Sequence, residues 1–126
     1  MKQLLVAMML VALVAACGGS KSEKETAAPE LSTAQLASIG KTLVDNSDCK
    51  TCHHPTNRII GPSHTEVAQK YEFNDENIKM LAARIIQGGS GVWGELPMTP
   101  HPDLSQDDAE KMAIYVLSLD GEERKK

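Results

Sequence analysis

Large rings are scarce in this chain. Its 126 residues include one Trp, one Phe and two Tyr, an aromatic content of 3%. A domain of about a hundred residues ordinarily draws on several aromatic side chains for buried area. Phe73, Trp93, Tyr71 and Tyr115 alone would therefore make a thin core, although hydrophobic residues form 41% of the chain. Positive charge is in deficit as well, with 13 Lys and Arg against 17 Asp and Glu and a net charge of -4. That balance argues against nucleic acid as a partner. It favours docking to a basic or largely apolar protein face, with some sensitivity to salt. Cysteine stops at three residues, and no second C-x-x-C is present to complete a four-ligand zinc site. No stretch reads as a strand, and no internal repeat is visible. Nor is any apolar run long enough to span a bilayer comfortably as a helix.

What is present begins with export. Met1-Lys2 is a short positive start, and residues 3–16 are almost wholly apolar. This segment, residues 1–16, reads as a secretory signal. It ends in Val14-Ala15-Ala16-Cys17, small residues running into a cysteine, which resembles the lipobox of bacterial lipoproteins. The resemblance implies cleavage before Cys17, attachment of diacylglycerol to its sulfur, and a stable hold on a membrane surface. Without the signal the charge becomes -5, since Lys2 is the only charge removed. Residues 17–31 lack periodicity and read as the lipidated cysteine followed by a flexible tether, whose use would be reach between membrane-bound partners.

Residues 32–121 carry the pattern of an all-α domain of about four helices. Ser32 and Gln35 are spaced as a capping box. Leu36, Ile39, Leu43 and Val44 then recur on one helical face with Gly40 among them, where a glycine allows another helix to cross closely. Ser63 and Glu66 cap a short helix bearing Val67 and Tyr71. Asn74 or Asp75 opens a third helix with Ile78, Leu81, Ala82, Ile85 and Ile86 on one face, stopped at Gly88-Gly89. Residues 90–102 are irregular. Ser105 and Asp108 begin the last helix, where Met112, Ala113, Val116, Leu117 and Leu119 make an apolar side with Tyr115 at its flank. Gly121 ends it, and residues 122–126 are a charged tail.

The chemistry lies in Cys49-Lys50-Thr51-Cys52-His53. Residues three apart on a helical turn face the same way, so two thiols can meet one haem edge, and the next residue offers an imidazole to the iron. C-x-x-C-H is the attachment signature of c-type haem. The competing readings are weak. A disulfide across two intervening residues closes too small a loop to stabilise much, and a thioredoxin-like pair needs a preceding strand. Zinc would have to recruit His54, His64 or His101. One covalent haem c would also supply the flat apolar bulk the chain lacks.

His53 is the expected proximal ligand, its other nitrogen fixed by a carbonyl in the Gly61-Pro62 turn. His54 reads as a solvated bystander. Met80 and Met112 lie on or beside helical stripes and are explained by packing. Met98 sits in a loop between Pro97 and Pro100, with no periodicity to account for it. It is the expected second axial ligand, with His101 the rival. An iron filled on both sides has no open position for catalysis, so the expectation is a non-enzymatic electron carrier. The alternatives are a small haem peroxidase or a haem-based ligand sensor.

These residues resemble a family. Cys49-x-x-Cys52-His53, Gly61-Pro62, Arg84-Ile85 and Gly91-Val92-Trp93-Gly94-x-x-Pro97-Met98 are similar to short bacterial class I cytochromes c, across residues 34–120. The resemblance implies a monohaem fold whose first and last helices cross, with Gly40 and Val44 meeting Tyr115 and its neighbours. It also implies that Pro62 offers its carbonyl to His53 and that Arg84 and Trp93 reach a haem propionate. The implied partners are a quinol-oxidising complex upstream and a terminal oxidase or reductase downstream. The implied setting is the extracytoplasmic or periplasmic side of a bacterial membrane, with the protein a monomer. Val44 departs from the pattern, standing where an aromatic is common.

Overall fold

The computed structural model describes residues 30–125; the export segment, Cys17 and most of the tether lie outside them. Among the described residues there are four α-helices and no strand: α1 (Thr33–Asp45), α2 (His64–Lys70), α3 (Asp75–Gln87) and α4 (Gln106–Leu117). Two 3-10 turns, Asp48–Thr51 and Ser118–Asp120, complete the regular structure.

Each helix starts where a side chain can satisfy its first free amides. Ser32, Ser63, Asn74 and Ser105 accept hydrogen bonds from the backbone N–H of Gln35, Glu66, Asn77 and Asp108. At Ser32 and Ser63 the third helical residue answers back to the cap nitrogen, so both capping boxes are complete. A cap of this kind is worth about 1 kcal/mol. At the other end of α3, Gly88 takes φ 69° and ψ -161°, a backbone state that suits glycine. The chain turns there into the segment that carries Met98.

Helix α4 is the hub. It packs most extensively on α1, then on α3, and more lightly on α2. All six residues from Met112 to Leu117 are buried, Ile114 among them. The periodicity had suggested a single apolar side with Tyr115 at its edge. The difference arises because neighbouring helices cover α4 from several directions, and a helix covered all round buries every position. Beyond Leu117 the helix tightens into the 3-10 turn, with Gly121 in the left-handed region at its end. Leu119 therefore sits on the turn and not on α4.

The α1/α4 crossing runs through Gly40. A Cβ built there would lie 1.9 Å from the carbonyl oxygen of Lys111 and 3.1 Å from the nitrogen of Met112. Backbone meets backbone at this point, and only glycine fits. Val44, one turn on, joins Val67, Met112, Tyr115 and Val116 in one core cluster. Ile39, expected on the buried stripe, is exposed. The close approach at Gly40 rotates the contact line toward Ala37 and Val44, leaving the Ile39 direction outside it.

A second cluster holds Phe73, Ile78, Ala113, Ile114 and Leu117. The tail fastens beside it. The Lys125 amide donates to the Phe73 carbonyl at 2.7 Å, and Arg124 Nε donates to Asp75 Oδ1 at 2.9 Å. The described charged residues past Gly121 thus strap down the entrance to α3.

Candidate haem-binding site

The 3-10 turn after α1 presents the attachment residues. Cys49 and Cys52 are free thiols, both partly exposed. The Cys52 and His53 amides donate to the Cys49 carbonyl at 3.1 and 2.8 Å, which folds the motif into one tight turn. Ser47 donates its hydroxyl to Cys49 Sγ at 3.0 Å.

His53 Nδ1 lies 2.7 Å from the Pro62 carbonyl oxygen. A carbonyl only accepts, so Nδ1 carries the proton and Nε2 keeps a free lone pair. Such a bond to the far ring nitrogen fixes a metal-ligating histidine in tautomer and orientation. Gly61 makes the approach possible: a Cβ there would stand 2.6 Å from His53 Cε1.

Behind this ring lies a residue whose part the sequence does not announce. His64, first in α2, stacks on His53 with centroids 5.6 Å apart and planes 23° from parallel. Its outer edge meets Tyr115 at 6.2 Å and 79°. Burial above all pulls His64 down to about 4 from 6.5, so the ring is neutral near pH 7. Its Nδ1 is buried without a partner. His64 therefore acts as a neutral wall behind His53. The available signal was positional, two residues after Pro62 and directly after the capping Ser63.

Met98 is held by the end of α3. Its amide donates to the Gly89 carbonyl at 2.8 Å, and the Gly89 amide returns a bond to the Met98 carbonyl at 3.3 Å. Gly88 again admits the approach, since a Cβ would lie 2.4 Å from the Met98 carbonyl oxygen. The Met98 side is partly buried, whereas Met112 is fully committed to the core. His101, the rival ligand, is engaged elsewhere: its Nε2 lies 3.0 Å from Asp48 Oδ1 and its Nδ1 3.2 Å from the Ile85 carbonyl oxygen.

Trp93 is partly buried against the first core cluster. Two cations flank its ring, Arg58 at 5.5 Å and Lys70 at 5.3 Å from the centroid, distances that favour cation–π attraction. Arg58 also pairs with Glu66 at 2.9 Å. The Arg84 guanidinium lies against Gly89, with Nη1 3.1 Å from where a Cβ would sit. It makes no ion pair among the described residues. His54 is exposed, but its Nδ1 accepts from the Thr56 and Asn57 amides, so it shapes the loop after the motif.

Large apolar side chains are exposed on the same two segments: Ile59 at 52% and Ile60 at 56% after the motif, Val92 at 43% and Leu96 at 68% before Met98. No group of three or more His, Cys, Asp or Glu side chains gathers to hold a metal ion among the described residues.

Two free thiols one turn apart and a histidine committed through Nδ1 form the donor set of a protein that carries haem covalently. The comparisons agree. The family model for cytochrome c matches residues 37–120. Cytochrome c-552 of Nitrosomonas europaea is 36% identical over 93 residues, covering 74% of this chain and 90% of that protein. Cytochrome c-551 of Azotobacter vinelandii is 39% identical over 79 residues, covering 63% of this chain and 95% of that protein. The crystal structure of wild-type N. europaea cytochrome c552 superposes with a TM-score of 0.59 at 35% identity, covering 63% of this chain and 98% of that one. The chain belongs to the cytochrome c family, as a short bacterial class I member. It is an electron-transfer protein with one covalent haem c, not an enzyme, and its partners are redox proteins.

Proposed function

We propose that this cytochrome is a membrane-tethered carrier of a respiratory chain, with an iron closed on both faces. Cys49 and Cys52 would hold the haem covalently through their sulfurs. His53 Nε2 and the Met98 thioether would hold the iron. Bound there, the haem supplies a one-electron redox centre, and His/Met ligation raises its potential. Arg84 and Trp93 serve the propionates. The observation that carries this reading is the 2.7 Å bond from His53 Nδ1 to Pro62, because it commits one nitrogen and leaves the other for iron.

The exposed Ile59, Ile60, Val92 and Leu96 supply an apolar docking rim beside the motif and Met98. A rim of this kind suits brief contact with a quinol-oxidising complex on one side and a terminal oxidase or reductase on the other. Lipid on Cys17 and a tether over residues 17–31 would keep the 32–121 domain near both, on the extracytoplasmic face of the membrane and as a monomer. No described helix is long and apolar enough to cross a membrane.

A redox-titrated visible spectrum of the purified holoprotein tests the ligand set. Wild type should be low-spin in both states, and its ferrous form should not bind carbon monoxide at neutral pH. Met98→Ala should lower the potential and admit carbon monoxide; an unchanged spectrum removes Met98 from the set. Fatty-acid labelling in a bacterial host tests the anchor. Cys17→Ser should abolish label uptake, and persistent labelling refutes lipidation at Cys17.

A further inference from the structure

His101 is fastened in a way that its place in an irregular loop does not explain. Its main-chain amide is shared between the carbonyls of Ile85, at 3.2 Å, and Ile86, at 3.0 Å. Its ring reaches from the Ile85 carbonyl to Asp48, the first residue of the turn that carries Cys49. Both ring partners are acceptors, each within hydrogen-bond distance of one ring nitrogen, so the ring spans the two segments. The contact joins residues 53 positions apart.

We propose that His101 and Asp48 form a latch that holds the Met98 segment against the haem-attachment turn and so limits how often Met98 leaves the iron. The proposal rests on the reading of Met98 as the axial ligand. Trp93 of the Met98 segment packs on the first core cluster, but the segment's other hydrogen bonds to the rest of the fold run to one place only. The Gly89–Met98 bonds and the His101 amide both run to the C-terminal end of α3. Gly88 and Gly89 there have φ of 69° and 140°, and neither carries a side chain to brace the base. Across the site, Trp93 meets the motif side through the Arg58 cation at 5.5 Å. Among the described residues, His101–Asp48 is the one hydrogen bond or ion pair between residues 90–104 and 46–62. A swing that carries residues 98–101 together away from the attachment turn breaks it.

Position decides its value more than strength. Asp48 is 69% exposed and the His101 side chain 20% exposed, and an exposed ion pair adds little to global stability. The same pair placed across an opening motion acts fully on that motion. His101 is thus a positioning residue that acts through Met98, not an iron ligand.

The test uses ferric holoprotein and free imidazole as the probe, with entry to the iron followed by stopped flow. His101→Ala and Asp48→Ala should each speed binding about three- to five-fold, the range that an exposed pair of about 0.6–1 kcal/mol allows. The double variant should be no faster than either single one, because both remove the same contact. Asp48→Asn keeps an acceptor for Nε2–H and should recover part of the wild-type rate, a result that a general loosening of the fold would not produce. Thermal midpoints of the Asp48 variants should stay near wild type. Wild-type rates in both alanine variants, or effects that simply add, overturn the latch. Met98→Ala separates the two readings. If it opens the iron to imidazole while the latch variants do not, the latch alone fails; if it changes nothing, the ligand assignment fails and the latch with it.

Discussion

Replacing Gly40 by alanine should destabilise the holoprotein although alanine is the better helix former. The substitution is favourable within α1 by about 1 kcal/mol. Against that, the new methyl would lie 1.9 Å from the Lys111 carbonyl oxygen and 2.5 Å from its carbonyl carbon. Ordinary carbon contacts begin at about 3.5 Å, so α1 and α4 must separate by roughly 1.5 Å at their crossing. No side chain can rotate away, since the opposing atoms are backbone. Overpacking of this kind costs about 3 kcal/mol or more, and the separation also loosens Val44 against Met112 and Tyr115. The net loss is about 2 kcal/mol, or about 8–16 °C in Tm for a domain of this size. Thermal unfolding followed by far-UV circular dichroism measures it, with Ser38→Ala on the exposed side of α1 as the control. The control should fall within about 0.5 kcal/mol of wild type. A Gly40→Ala protein as stable as the control would refute the close crossing.

Two further substitutions probe the site and its support. Gly61→Ala places a methyl 2.6 Å from His53 Cε1, with His64 stacked beside the same imidazole; purified protein should show a lower yield of covalent haem or a disturbed ferric spectrum, and normal values for both would show that the ring has room to move. Glu66 is held below its usual value of 4.5, first by the Ser63 amide and then by Arg58. A carboxylate depressed in the folded state stabilises it above the unfolded value and loses that contribution as pH falls through the folded value. Glu66→Gln should therefore be less stable than wild type at pH 7, and the gap should close below pH 4.5 in chemical denaturation; a gap that is constant with pH would remove the charge from the capping argument.

Much of this architecture is legible in the sequence because its causes are local. Capping acts over three residues, so Ser32, Ser63, Asn74 and Ser105 mark the helix starts from their own neighbourhoods. The stop at Gly88 and the attachment turn are local in the same sense. Gly40 is legible for a different reason: a glycine on an otherwise apolar face has few explanations other than close contact. Periodicity is blind to what covers the far side of a helix, so it reports one face of α4 and misses Ile114. It also places Ile39 in the stripe with Leu36 and Leu43, because hydrophobicity cannot tell which of two adjacent directions meets the partner.

The contacts around the haem motif follow the opposite rule. His53 and Pro62 are nine positions apart, near enough for the turn between them to suggest the bond. Arg58 over Trp93, His64 against Tyr115, and His101 on Asp48 each join distant segments, and each involves a side chain with an adequate local explanation of its own. Arg58 sits in the loop after the motif, His64 opens α2, and His101 reads as a spare ligand. What gives them their roles is the packing of α1, α3 and α4, which brings the end of α3 and the attachment turn to one side of the core. The ligand types are written locally, while the restraints that keep those ligands in place arise only once the helices have closed. On the proposed ligand set, variation at Asp48 or His101 changes how readily the iron opens while leaving Cys49-x-x-Cys52-His53 and Met98 untouched.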